Sequence, residues 1–371
     1  MRVGVPKEIK TQEHRVGLTP AAVREYVAAG HEVWVQAGAG SGIGAGDEVY
    51  AAAGARIVDG ADEVWAGAQL IVKVKEPLPA ERALLREGQL LFTYLHLAPD
   101  PELTRALLAS GCIAVAYETV TDAHGGLPLL APMSEVAGRL ALEAAAFALR
   151  KPAGGKGLLL GGVPGVPPAR VAVIGGGVVG TQAARIAAGL GCEVTVLDRS
   201  LPRLRQLDDL FGGRVRTHFA TAHAIDDEVR SADVVIGAAL VPGARAPRLV
   251  TRATLATMRP LSVLVDVSID QGGCFETSRP TTHDAPTYVV DGIVHYAVAN
   301  MPGSVPVTAS HALNHATLPF GLALASLGEE ALRRDEHLRR GLNCHRGRLT
   351  CAAVGDALGI PHVSAESVLG I

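Results

Sequence analysis

The sequence predicts an α/β protein made of two doubly wound, mainly parallel sheets. Three observations predict it. Short apolar runs alternate with longer helix-patterned segments from the first residues onward. A Gly/Pro-rich stretch at residues 154–168 interrupts that alternation, which then restarts. The chain has 371 residues, too many for one ordinary core, so two domains are expected.

In the first half, strands are expected at 2–5, 32–36, 70–75, 90–95 and 113–117. Helices are expected at 20–29, 79–86 and 101–110. An apolar helix over 131–151, with Pro132 in its first turn where proline is tolerated, is long enough to bridge two domains. After the Gly/Pro-rich stretch, strands are expected at 170–174, 193–197, 233–238 and 263–269, with a last strand pair over 287–300 turning at Asp291-Gly292. Residues 308–339 read as mostly helical and the final 30 or so carry weaker signals. The second sheet ends before the chain does, so the C-terminal helices are expected to return to the first domain.

Composition excludes several classes. Apolar residues make up 48% and charged residues 19%, which is incompatible with disorder. A net charge of −3 with the two signs intermixed gives no footing for nucleic acid or an anionic membrane. Five scattered cysteines without metal-ligand spacing suit a reducing, cytoplasmic compartment. The start, MRVGVPKEIKT, has charges where a secretory signal needs an apolar stretch, and no run of about 18 apolar residues is available to cross a bilayer.

The strongest motif is VAVIGGGVVG, in which Gly175, Gly177 and Gly180 form G-x-G-x-x-G between an apolar strand and a helix. The first glycine permits the tight turn, the second lets a pyrophosphate approach the backbone, and the third lets helix and strand pack closely. Alone the motif is weak. Here the next strand, EVTVLD, ends in Asp198, where an acid takes the adenosine ribose hydroxyls and repels a 2′-phosphate. A Rossmann-like domain binding NAD rather than NADP is expected. Arg199 and Arg203 lie close by, either tempering that preference or simply solvating a helix start.

Polar residues close several apolar runs, on the side where ligands sit in open α/β sheets. They are Lys75, His96, Asp270 and Asn300, and Arg15 stands in an N-terminal loop. Such residues suit oxidation of a small amino acid. An arginine fork and a lysine hold a carboxylate. A histidine serves as acid and base toward the water that attacks the iminium carbon. A carboxylate such as Asp270 orients the water or the ammonium group and offsets developing positive charge. His311 and His315 are four apart on an expected helix with no carboxylate beside them, so packing rather than metal binding is expected. HExxH, CxxC and G-x-S-x-G are absent from the sequence, which disfavours metallohydrolase and serine-hydrolase readings.

Over essentially its whole length the chain resembles the alanine dehydrogenase family, which shares ancestry with the NAD-binding subunit of proton-translocating transhydrogenase. The segments that carry this are GVPKEIKTQEHRVGLTPAAV, VAVIGGGVVGTQAARIAAGLGCEVTVLD, and DVSIDQGGCFETSRPTTHDAPTY followed by VANMPGSVPVT. The resemblance implies reversible oxidative deamination of L-alanine to pyruvate and ammonia with NAD, and a homohexamer. It implies a substrate domain formed by both chain ends (1–130 and 305–371) around a cofactor domain (131–304). Arg15 and Lys75 would hold the substrate, and His96 and Asp270 would be the catalytic pair. NAD would be contacted by Ser134, Val178, Val179, Asp198, Arg203, Ala239, Leu240, Val267, Ser268, Ile269, Asp270, Arg279, Val298, Ala299, Asn300 and Met301.

This chain departs from the family pattern at Gln12, where asparagine is usual, and at Ala220, where a small hydroxyl residue often touches the adenine side. Some members hold a divalent metal through an acid that falls here at Pro202, so no metal is expected. Two rivals remain at this stage: a transhydrogenase subunit, and a catalytically inert NAD sensor on the same scaffold.

Overall fold

The computed structural model describes residues 1–239 and 246–371. Contacts divide it into two compact units, one of residues 1–133 with 303–371, the other of residues 134–302.

The first unit opens with β1 (Arg2–Val5), β2 (Glu32–Gln36), β3 (Arg56–Val58), β4 (Leu70–Val72), β5 (Leu90–Thr93) and β6 (Ile113–Ala116). All pair in parallel, in the order β3-β2-β1-β4-β5-β6. Two of the helices between them begin where the sequence supplies a side-chain cap. Thr19 accepts from the Ala22 amide ahead of Pro20–Ala28, and Asp100 accepts from the Leu103 amide ahead of Pro101–Ser110, each with proline in the first turn.

The second unit holds β7 (Arg170–Ile174), β8 (Glu193–Asp198), β9 (Arg216–Phe219), β10 (Val234–Gly237), β11 (Val263–Asp266), β12 (Thr287–Val290) and β13 (Ile293–Tyr296). Its sheet runs β9-β8-β7-β10-β11-β13-β12, parallel except for the β12–β13 hairpin. Both faces are buried. Val171 and Val173 of β7 pack with Ala141, Ala145 and Leu149, whereas Ala172 and Ile174 pack with Ile225, Val229 and Phe275. Two-sided burial is why these strands read as unbroken apolar runs rather than alternating ones.

The C-terminal segment then completes the first sheet. β14 (Leu342–His345) joins β6 antiparallel, and β15 (Arg348–Leu349) pairs with β14. Each unit therefore repeats one parallel order, which reverses direction beside its first strand: between β1 and β4, and between β7 and β10. Ligands bind at such reversals, beyond the carboxyl ends of the strands.

The structure adds four strands that the apolar pattern did not predict, β3, β9, β14 and β15. It also shortens others. The expected strand over 70–75 ends at Val72, that over 90–95 at Thr93, and that over 263–269 at Asp266. Buried or half-buried carboxylates turn the chain at these points. Glu8 Oε1 accepts from the Val74 and Lys75 amides (2.7 and 3.3 Å), and Glu118 Oε1 accepts from the His96 amide (2.7 Å). Among the described residues, no helix is long and apolar enough to cross a membrane.

Candidate functional site

In the first unit, the β1/β4 reversal is built on buried charge. Glu8, in the loop after β1, also accepts from Lys73 Nζ (3.1 Å), which donates to Glu81 (2.6 Å) as well. Lys73 is 0% exposed. Burial pushes the Glu8 carboxyl up and Lys73 holds it back, so its pKa stays raised overall. Two negative groups share one cation.

Arg15 is buried further along the same loop. Its Nε and Nη2 form a fork on Glu13 (2.7 and 2.6 Å), and Nη1 lies 3.0 Å from Met133 Sδ. Burial lowers its pKa, but the Glu13 carboxylate outweighs that and the guanidinium stays charged. The long helix Pro306–Leu327 fixes this loop. Ser310 Oγ accepts from the Val16 amide, and Asn314 both accepts from the Thr19 amide (2.7 Å) and donates to the Gly17 carbonyl (3.1 Å).

Lys75 follows β4, its amide on Glu8 and its carbonyl accepting from Thr93 Oγ1 (3.0 Å). His96 follows β5 with a left-handed backbone, φ +48°, a conformation non-glycine residues hold only when their surroundings impose it. Here Glu118 takes the Leu95 and His96 amides and stands 4.0 Å from His96 Nδ1. The imidazole stacks flat on Tyr94, 5.7 Å between centroids and 4° apart in plane. Tyr94 is in turn fixed by donating to the Leu129 carbonyl (2.5 Å). The exposed histidine is thus held in a defined direction. Arg15, Lys75 and His96 all stand beyond carboxyl ends of the first sheet.

In the second unit, the three glycines separate by role. Gly175 has φ +103°, and a Cβ there would sit 2.6 Å from the Ala238 carbonyl oxygen. A Cβ at Gly180 would overlap the Gly175 carbonyl. At Gly177 a Cβ would meet nothing within 4 Å. The first and third glycines are required by the fold. The second, which begins the helix Val178–Gly189, leaves an open cradle of amides at a helix N-terminus, the form a pyrophosphate needs.

Asp198 ends β8 and accepts from the Gly176 amide through Oδ2 (2.7 Å) and from the Ser200 amide through Oδ1 (2.8 Å). Ala220 donates its amide to the Asp198 carbonyl (3.0 Å). Arg203 spends its fork on the loop itself: Nε donates to the Gly176 carbonyl (2.6 Å) and Nη2 to Thr181 Oγ1 (2.6 Å). Arg199 is exposed. Val178 is exposed, and Val179 and Ser134 are half-buried.

The loop after β11 is organised around one buried carboxylate. Asp266 accepts from the Ser268, Cys274 and Phe275 amides and from Ser278 Oγ (2.5 Å). Burial raises its pKa against these donors. Ser268 Oγ donates to the Ala239 carbonyl (2.8 Å), and the Val267 amide to Gly237. Ile269 is buried and Asp270 exposed, with Asp270 Oδ2 accepting from the Asn300 amide at 3.3 Å. Val298 and Met301 are buried, and the Ala299 amide donates to the Thr281 carbonyl. Leu240 lies outside the described residues.

His311 and His315 share a helix face with rings 6.3 Å apart, but both are exposed rather than packed as expected. A 22-residue helix that covers the sheet on one side leaves its other face, theirs, in solvent. Among the described residues no group of three or more His, Cys, Asp or Glu could hold a metal. Pro202 sits in the first turn of the helix Leu201–Phe211.

Glu8, Glu13, Tyr94, Glu118 and Asp266 were not singled out from the sequence. Glu8 and Glu118 meet partners far along the chain, which no local spacing announces, while Glu13, Tyr94 and Asp266 sit in no motif that marks them out.

A glycine loop of this form, followed by a strand-terminal acid at a sheet reversal, defines the class of dinucleotide-binding α/β proteins. Residues 4–137 match the N-terminal domain and residues 141–352 the C-terminal domain of alanine dehydrogenase/PNT. The alanine dehydrogenase of Halomonas elongata is 59% identical over the full length of both chains. That of Mycobacterium tuberculosis (strain H37Rv) is 54% identical, again over both full lengths. A solved L-alanine dehydrogenase superposes with a TM-score of 0.93 at 52% identity, over 97% of this chain and 99% of that one. A transhydrogenase from Sinorhizobium meliloti gives 0.82 at 26% identity, over 94% and 100%. The chain belongs to the alanine dehydrogenase/PNT family.

Proposed function

We propose that Arg15, Lys75, His96 and Asp270 carry an alanine dehydrogenase reaction in this chain. The relatives it matches end to end are alanine dehydrogenases, and the reaction read for this chain is the reversible oxidation of L-alanine to pyruvate and ammonia with NAD. Identity of 59% along both full chains is the observation that carries this over a transhydrogenase reading.

The residues present fit NAD. Gly177 leaves the cradle for the pyrophosphate, and Asp198, already oriented by the Gly176 and Ser200 amides, keeps lone pairs for the ribose hydroxyls. Bound there, NAD would supply the acceptor for the hydride that leaves the substrate Cα. Arg15 and Lys75 bind the carboxylate and carbonyl oxygen. His96 takes a proton from the attacking water and returns one in the reverse direction. Asp270 offsets the positive charge on the iminium carbon. The unit of residues 1–133 and 303–371 acts as the substrate domain and residues 134–302 as the cofactor domain. The enzyme is a cytoplasmic homohexamer.

The test is turnover of L-alanine with NAD and with NADP. Strong preference for NAD is expected, and Asp198→Ala should admit NADP more readily. Absence of alanine turnover would defeat the reading, and equal use of both cofactors would remove the role given to Asp198.

A further inference from the structure

A parallel dinucleotide sheet has no need of an antiparallel hairpin at its edge, yet β12 and β13 supply one. In its register Tyr288 stands opposite His295. Their rings stack, 4.9 Å between centroids and 22° apart in plane. His295 is 1% exposed, with Nδ1 3.0 Å from the Ile293 carbonyl and Nε2 2.7 Å from Thr277 Oγ1. Only the tautomer protonated at Nδ1 satisfies both, with the Thr277 hydroxyl donating to Nε2. Burial lowers the pKa of this imidazole, in keeping with a neutral ring.

The Arg279 guanidinium also lies over the Tyr288 ring, 4.3 Å from its centroid. The Tyr288 hydroxyl accepts from the Arg279 amide (2.8 Å) and donates to the Thr277 carbonyl (3.0 Å). The preceding residue, Ser278, is tied to Asp266 at the carboxyl end of β11. An exposed cation is therefore fixed at backbone and side chain alike, on the ligand side of the cofactor sheet.

We propose that Tyr288 is a positioning residue for the cofactor, its ring and hydroxyl presenting Arg279 to the dinucleotide, whose anionic group is its pyrophosphate. The β12–β13 hairpin is the brace, and His295 is its backing. A long, flexible side chain loses rotamer freedom when it binds an anion. Stacking removes that freedom beforehand, so less is lost on binding. The proposal rests on the reading of Arg279 as a cofactor contact.

The experiment is titration of NADH fluorescence on the full-length protein, with thermal melts and steady-state kinetics, for Arg279→Ala, Tyr288→Leu, Tyr288→Phe and the doubles with Arg279→Ala. Arg279→Ala should weaken NADH about tenfold or more. Tyr288→Leu should weaken it about three- to thirtyfold, raising the KM for NAD more than it lowers kcat and leaving the KM for pyruvate in place. Tyr288→Phe keeps the ring and should give a smaller loss. Each double variant should bind no more weakly than Arg279→Ala alone, because Tyr288 acts through Arg279.

Unchanged affinity in both Tyr288 variants, with Arg279→Ala weakened, overturns the proposal and spares the reading of Arg279. Unchanged affinity in Arg279→Ala overturns both. Fully additive losses in the doubles make Tyr288 a support of the fold alone and also overturn it. If Tyr288→Leu does not fold, the Phe pair carries the same comparison.

Discussion

At the scale of single residues, the site is a set of polar groups, several of them held by buried or half-buried carboxylates. His96 is the clearest case, with its backbone on Glu118 and its ring on Tyr94. His96→Ala should lower kcat by about 10²–10⁴ while NADH still binds, because the glycine loop and Asp198 lie in the other unit. Turnover near normal in that variant would end the assignment. Asp270→Asn, read by the same two assays, should depress kcat more than NADH affinity. The buried cluster beneath Lys75 makes a separate prediction. Lys73→Met leaves Glu8 and Glu81 buried without their cation, a loss of about 3–5 kcal/mol. Glu8 already has a raised pKa in the folded state, and removing Lys73 raises it further. The folded state then binds a proton that the unfolded chain releases, so the deficit grows as pH rises above the ordinary carboxylate range and shrinks in acid. Melting temperatures of the variant and the parent should therefore lie closer at pH 5 than at pH 8. A gap independent of pH would mean that Glu8 does not titrate with folding.

At the scale of elements, what was legible in the sequence was what the core dictates. β1, β2 and β7 match their expected bounds because both faces are buried and every residue is apolar or terminal. β3 and β9 stand at sheet edges, where RIV and RTHF carry charged, polar or exposed residues, and an apolar search passes over them. β14 contains Asn343 and His345, both buried but paired to Thr119 and Glu329, so its polarity hides its burial. The glycine motif was legible as a pattern, yet only coordinates separate its members. Gly180→Ala forces a Cβ into the Gly175 carbonyl and should lower stability along with NADH binding. Gly177→Ala places a methyl in open space, so the melting temperature should hold while NADH affinity falls, since the methyl then occupies the pyrophosphate's approach. Calorimetry beside fluorescence titration distinguishes them. Equal destabilisation by the two substitutions would remove the cradle assigned to Gly177.

At the scale of the whole molecule, the chain leaves its first sheet unfinished and completes it only at the end. β6 is buried throughout, and its outer edge is covered by β14, with the Ala116 amide donating to the Gly341 carbonyl at 2.7 Å. Cys344, Leu349 and Val354 from this last segment belong to the same core as Leu91, Leu103 and Ala114. Deleting residues 340–371 would uncover an apolar strand edge and remove part of one core in a single step, a combination that favours aggregation. The second sheet loses nothing by it, since every strand and every proposed NADH contact falls within residues 134–302. The truncated chain should therefore lose alanine turnover and become prone to aggregate, while its remaining soluble fraction still quenches or enhances NADH fluorescence as the parent does. Full turnover after truncation would show that β14 and β15 are dispensable to the substrate side. Loss of NADH binding together with turnover would show that the cofactor unit does not keep its fold by its own core.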